Sequence, residues 1–158
     1  MYKVLDICRY VINYSNDKDY DISNLKLQKL LYFIQAYFLI NKNEACFNET
    51  IEAWDFGPVV PEAYSEYKQY GGGNIPPISS YLEFDTDDIW DVHRVKYNDN
   101  IISNTDKEMI NDVVDKFAEY TATDLVSLTH RQAPWNNAYE PYMNNEITKN
   151  SIKEYFSD

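Results

Sequence analysis

Residues 22–40 read ISNLKLQKLLYFIQAYFLI, and the reading of this stretch decides the fold. Leu27, Leu30, Leu31, Ile34 and Phe38 recur at steps of three and four, which stacks them on one face of an α-helix. Leu25, Phe33, Tyr37 and Leu39 occupy most of the remaining circumference. A helix apolar nearly all round must be surrounded by protein or by lipid. Lys26, Gln28, Lys29 and Gln35 interrupt the run, so the span of about 20 apolar residues that a bilayer requires is not met. The stretch predicts a buried central helix of a soluble core, with a narrow polar stripe along its N-terminal half. Asp21 or Ser23 is placed to cap its start by accepting from unpaired backbone amides.

Outward from this helix the pattern stays mainly helical. Val4, Ile7, Cys8 and Val11 form an apolar stripe that predicts a helix over residues 2–14, followed by a polar linker. Alternation through Ile51 and Ala53 predicts a short strand near 50–55, stopped by Gly57-Pro58. Pro61 and Glu62 suit the first turn of a helix carrying Tyr64 and Tyr67, with Gly71 as its C-cap. GGGNIPPISS, residues 71–80, reads as a pliant hinge and then a stiff extended piece. The Asn98-Asp99-Asn100 run tolerates positive φ and predicts a hairpin over 93–102. Thr105 and Glu108 form a capping box for a helix with Met109, Val113 and Phe117 on one line. Thr121 or Thr123 opens a further helix, Pro134 another, and the last runs from about 148 to 156. At 158 residues the chain is most simply one domain, 1–158, able to bury a core without disulfide or metal.

The net charge of −12 argues against a surface that tracks phosphates, since nucleic-acid binding rests on Lys and Arg contacts, and it suits a basic protein partner. Fifteen tyrosines supply rigid contact area at low entropic cost, which is compatible with an interface protein. The N-terminus MYKVLDICRY lacks the pattern of a signal peptide, and Cys8 and Cys46 are the only cysteines, so a reducing cytoplasm is the expected compartment.

Candidate chemistry is sparse. Cys8, Cys46, His93 and His130 are too far apart in sequence for a short metal-binding spacing, and no metal or other cofactor is expected. Asp85, Asp87, Asp88 and Asp91 resemble part of a calcium loop but lack its glycine and its final glutamate. Ser127, His130 and Asp124 lie along one short helix, where side chains point alongside one another rather than at one another. A hydrolytic set of Glu49, Asp55 and His130 is the weakest alternative, and no catalytic residue is assigned. The segment IEAWDFGPVVPEAYSEYKQYG, by contrast, crowds Trp54, Phe56, Tyr64, Tyr67 and Tyr70 around a rigid turn. Such aromatic surfaces carry much of the energy of protein–protein binding.

Three blocks resemble a known family: LKLQKLLYFIQAYFL, then the W-x-x-GPV-x-P block of Trp54, Gly57, Pro58, Val59 and Pro61, then Thr129, His130, Pro134 and Trp135. Together they are similar to the Panacea domain, the SocA-like antitoxin family, whose members are also labelled phage-associated proteins. Order and spacing match over about residues 3–156. Phe56 stands where Tyr is commoner, and residues 81–104 lie where many members pass more directly into the next helix. The resemblance implies a largely helical antitoxin that neutralises a cognate toxin by direct contact, and the charge of −12 makes a basic toxin the expected partner. Trp54, Asp55, Phe56, Pro58, Tyr64, Tyr67, His130 and Trp135 are the candidate partner-binding residues. Of these, Trp54 and Trp135 are expected mainly in the core and Phe56, Tyr64 and Tyr67 as exposed anchors, with 71–104 as the variable part. The alternative is a phage-encoded anti-defence or regulatory protein that binds a host factor, as an acidic nucleic-acid mimic.

Overall fold

Two long helices open the chain, α1 over Val4–Asp17 and α2 over Asn24–Asn41. They belong to a computed structural model that describes residues 1–84 and 87–157, so Asp85 of the acidic run lies outside the described residues. Ser23 accepts from the Lys26 amide and caps α2, whereas α1 has no local cap and its Val4 amide donates to Glu49 at 3.1 Å. α2 packs against α1 and, further along the chain, against α3 (Pro61–Tyr67), α4 (Asn104–Lys116), α5 (Ala122–His130) and α7 (Lys149–Phe156). Between α5 and α7 lies a one-turn helix, α6, at Ala133–Ala138.

The polar stripe of α2 faces protein rather than solvent. Lys26, Gln28, Lys29 and Gln35 are all buried, and each ties backbone from another part of the chain to the helix. Gln35 accepts from the Cys46 amide at 2.7 Å and donates to the Phe47 carbonyl at 2.9 Å. Gln28 accepts from the Val60 amide, Lys29 donates to the Pro58 carbonyl and Lys26 to the Ala118 carbonyl. Loop backbone entering a core brings amides and carbonyls that need partners, and these long polar side chains provide them.

The strand at β1, Ile51–Trp54, is as the alternation predicts. Gly57-Pro58 does not end the sheet, however, because β2 (Gly57–Val59) folds back on β1 with Trp54 opposite Gly57 and Ala53 opposite Pro58. β1 also pairs with β5, Glu146–Ile147, giving an antiparallel sheet in the order β2-β1-β5. Pro58 sits on the edge strand, where its missing donor costs no ladder bond. Gly57 has φ +105°, and a Cβ there would stand 2.6 Å from Lys29 Cε and 2.9 Å from Thr129 Oγ1. Only glycine fits both demands.

In the 71–80 segment the extended piece after the glycines is tied to the body: the Ile75 amide donates to the Ile22 carbonyl, and Asn13 grips both backbone groups of Ile78. Two further elements differ from the expectation. The hairpin forms between β3 (Ser80–Phe84) and β4 (Val92–Lys96), not over 93–102. Asn98 instead accepts from the Asn100 amide and opens a 3₁₀ turn at Asp99–Ile101. The cap of α4 is Ser103, which accepts from Asp106, so the box expected at Thr105 and Glu108 falls two residues too late. Asp106 is thereby turned inward, where it accepts from Tyr2 at 2.5 Å and Lys42 at 2.8 Å. At α5 the expected cap holds, as a reciprocal box between Thr121 and Asp124.

Candidate protein-binding cleft

The β1–β2 turn presents Asp55 and Phe56 at its tip, and three stacked rings hold it from behind. The rings of His130 and Trp135 lie 4.0 Å apart and those of Trp135 and Tyr139 4.5 Å apart, all nearly parallel. Each ring contributes one polar atom to the turn. Trp135 Nε1 donates to the Trp54 carbonyl at 2.8 Å, and His130 Nε2 lies 3.0 Å from the Asp55 carbonyl. A carbonyl only accepts, so that nitrogen carries the proton. The Tyr139 hydroxyl donates to Asp55 Oδ1 at 2.5 Å, a bond to the carboxylate that raises its phenol above the ordinary value.

From the core side, Lys29 Nζ donates to the Pro58 carbonyl at 2.9 Å. This lysine is fully buried and has no carboxylate beside it in its hydrogen bonding, and burial pushes its ammonium down to about 7. Thr129, whose hydroxyl donates to Leu125 and Val126 carbonyls, fills the space next to Gly57. The turn is gripped on both sides. Its outer side chain is not: Phe56 is 67% exposed.

Beside Phe56 opens a cleft of about 320 Å³. Leu25, Gln28 and Val59 line it from α2 and β2, Trp54 and Tyr64 form one wall, and Tyr142 with Met143 forms the lip. Trp54 and Tyr64 meet edge to face at 5.1 Å, and the Trp54 indole donates to Glu52. Tyr142 has φ +66° and is fully exposed. Large aromatic faces in water beside a preformed apolar recess are the makings of a binding surface.

Of the residues singled out from the sequence, Trp54, Asp55, Phe56, Pro58 and Tyr64 come together at this turn and cleft. His130 and Trp135 lie behind it as positioning residues. Tyr67 is corrected: at 5% exposure it is in the core, because the inner side of α3 faces α1, and it cannot serve as an exposed anchor. Tyr139, Tyr142 and Met143 were not foreseen as site residues. The lip lies in an irregular stretch with no periodicity, and only the apolar pair Tyr142-Met143 amid polar neighbours signals it.

The side chains of the catalytic alternatives are engaged with other partners. Asp124 accepts from the Thr121 amide, Glu49 from the Val4 amide and Asp55 from Tyr139, while His130 meets a backbone carbonyl. Among the described residues no group of three or more His, Cys, Asp or Glu is arranged to hold a metal, and no helix is long and apolar enough to cross a membrane. Cys8 and Cys46 are buried free thiols, pushed up from their ordinary value by desolvation.

The structure is a mainly helical scaffold with small sheets that braces an aromatic turn beside an apolar cleft. The chain belongs to the family described as antitoxin SocA-like, Panacea domain, whose model matches residues 27–136. That match takes in most of α2, the β1–β2 turn and Trp135, and stops short of α1 and the Tyr142–Met143 lip. Antitoxin SocA of Caulobacter vibrioides is similar to it, 46% identical over 67 residues that make up 40% of this chain and 36% of that relative. The chain thus spans only about a third of the length of the curated relative. No solved structure matches.

Proposed function

We propose that this chain is a cytoplasmic antitoxin that neutralises a cognate, basic protein toxin by direct contact at the Phe56 cleft. The observation that carries the reading is the exposed Phe56 on a turn clamped by His130, Trp135, Tyr139 and Lys29. A contact residue held rigid before binding loses little entropy on binding, which is where affinity is gained. Membership of an antitoxin family supports a toxin as the occupant. The net charge of −12 supports a basic one, with steering of the encounter. In this reading 1–158 acts as one domain with α2 as its axis, and Trp54, Asp55, Pro58 and Tyr64 shape the recess.

The test is calorimetric titration of the purified chain with the toxin-like product of the adjacent reading frame. Binding that weakens about 30-fold or more in Phe56→Ala, with an unchanged melting temperature, is the expected result. Association should also slow with added salt. Full affinity in Phe56→Ala would remove the cleft from the account, and no binding by the unaltered chain would remove the antitoxin reading.

A further inference from the structure

The β3–β4 hairpin has two unlike faces and two unlike ends. Cross-strand partners Leu82 with Arg94 and Phe84 with Val92 share one face, and Tyr81 with Val95 share the other. Tyr81 and Val95 are half-buried, whereas Leu82, Phe84 and Val92 are exposed. The root is fixed to the body. The Arg9 guanidinium lies 3.4 Å from the Tyr81 ring centroid, Asn13 holds Ile78, and the Tyr97 amide donates to the Ser79 carbonyl. The far end is uncovered: Ile89 is 78% and Trp90 86% exposed.

An isolated two-stranded hairpin is marginal in water, and one that turns its apolar face outward gains nothing from that face in the free chain. A tryptophan beside isoleucine, phenylalanine and valine in water is instead the composition of an interface centre. The charge of the same end indicates what covers it. The described residues of that end include four acids (Glu83, Asp87, Asp88 and Asp91) and no Lys or Arg, with His93 3.5 Å from Asp91, while Arg94 and Lys96 lie toward the root.

We propose that this hairpin is a second docking arm of the antitoxin, distinct from the Phe56 cleft, which inserts Trp90 and Ile89 into an apolar recess rimmed by Lys and Arg on the toxin. The proposal rests on the antitoxin reading above. The root clamp sets the direction of the arm, the apolar end supplies holding energy, and the acidic flanks select a basic rim and speed the encounter.

The experiment compares four proteins in titration against the toxin-like product of the adjacent reading frame: the unaltered chain, Phe56→Ala, Trp90→Ala with Ile89→Ser, and Glu83→Gln with Asp91→Asn. Sedimentation equilibrium runs alongside. The expected result is a loss of about 30-fold or more for the Trp90/Ile89 variant, at unchanged melting temperature. The Glu83/Asp91 variant should bind severalfold more slowly at low salt, with little change in dissociation. Unaltered affinity in the Trp90/Ile89 variant, with Phe56→Ala still weakened, would overturn the arm and leave the cleft standing. An unaltered chain that self-associates, with monomers only in the Trp90/Ile89 variant, would overturn it in favour of a second copy as occupant. No binding by the unaltered chain would overturn the antitoxin reading and the arm with it.

Discussion

Replacing Lys29 by methionine probes the support beneath the Phe56 turn. The lysine is fully buried, donates to the Pro58 carbonyl and titrates near 7 in the folded chain, against 10.5 ordinarily. The unfolded chain keeps this proton up to about 10.5 and the folded chain releases it near 7. Between those values the unfolded state binds more protons, so stability rises with pH. From the two values the lysine costs folding on the order of 4 kcal/mol at pH 7, and that cost falls by roughly 1–2 kcal/mol by pH 8.5. Methionine removes that term and leaves the Pro58 carbonyl without its donor, at a cost of about 1–3 kcal/mol. The variant should therefore be more stable by about 1–3 kcal/mol at pH 7, with the advantage shrinking by roughly 1–2 kcal/mol at pH 8.5. Urea unfolding followed by tryptophan fluorescence at the two pH values measures this. The difference between the proteins cancels the tyrosines and thiols they share. Parallel stabilities across the window would refute the reasoning, because they would mean that Lys29 is charged in the core at no cost.

Other substitutions test neighbouring parts of the account. Gly57→Ala should cost about 2–4 kcal/mol in urea unfolding, since its Cβ meets Lys29 and Thr129 at a φ of +105°. Gln35→Leu should cost about 2–4 kcal/mol by stranding the Cys46 amide and the Phe47 carbonyl, and a loss under 0.5 kcal/mol would show that water replaces the side chain. The Asp106 carboxyl feels opposing effects: burial raises it, but hydrogen bonds from Lys42, Tyr2 and Ser103 prevail and hold it below its ordinary value. Its contribution is present above the ordinary carboxylate range and lost as pH falls through its folded value, so Asp106→Asn should flatten the acid limb of a melting-temperature profile.

Much of the helical pattern was legible because its signals are local. The apolar spacing of α2, the proline at the start of α3 and the Thr121 cap of α5 each act within a turn or two. What escaped depends on distant partners. β2 and β5 are three and two residues long and exist only because β1 lies between them. Lys26, Gln28, Lys29 and Gln35 look like a solvated stripe until the backbone groups they satisfy, 11 to 92 residues away, are in place. At the cleft, the residues Trp54 to Tyr64 were found because aromatics crowd a Gly-Pro turn. Tyr67 was misplaced because spacing on one short helix does not say which side meets α1. The stack of His130, Trp135 and Tyr139 against the turn joins residues 75 to 84 positions apart, a relation no local pattern carries.

The most direct measurement of the central claim is growth of cells expressing the adjacent toxin-like gene together with this chain or with its Phe56→Ala/Tyr142→Ala form. Rescue and co-purification are expected with the unaltered chain, and loss of both in the double variant at equal soluble level. Rescue undiminished in the double variant, or a toxic neighbour that the unaltered chain neither binds nor silences, would contradict it.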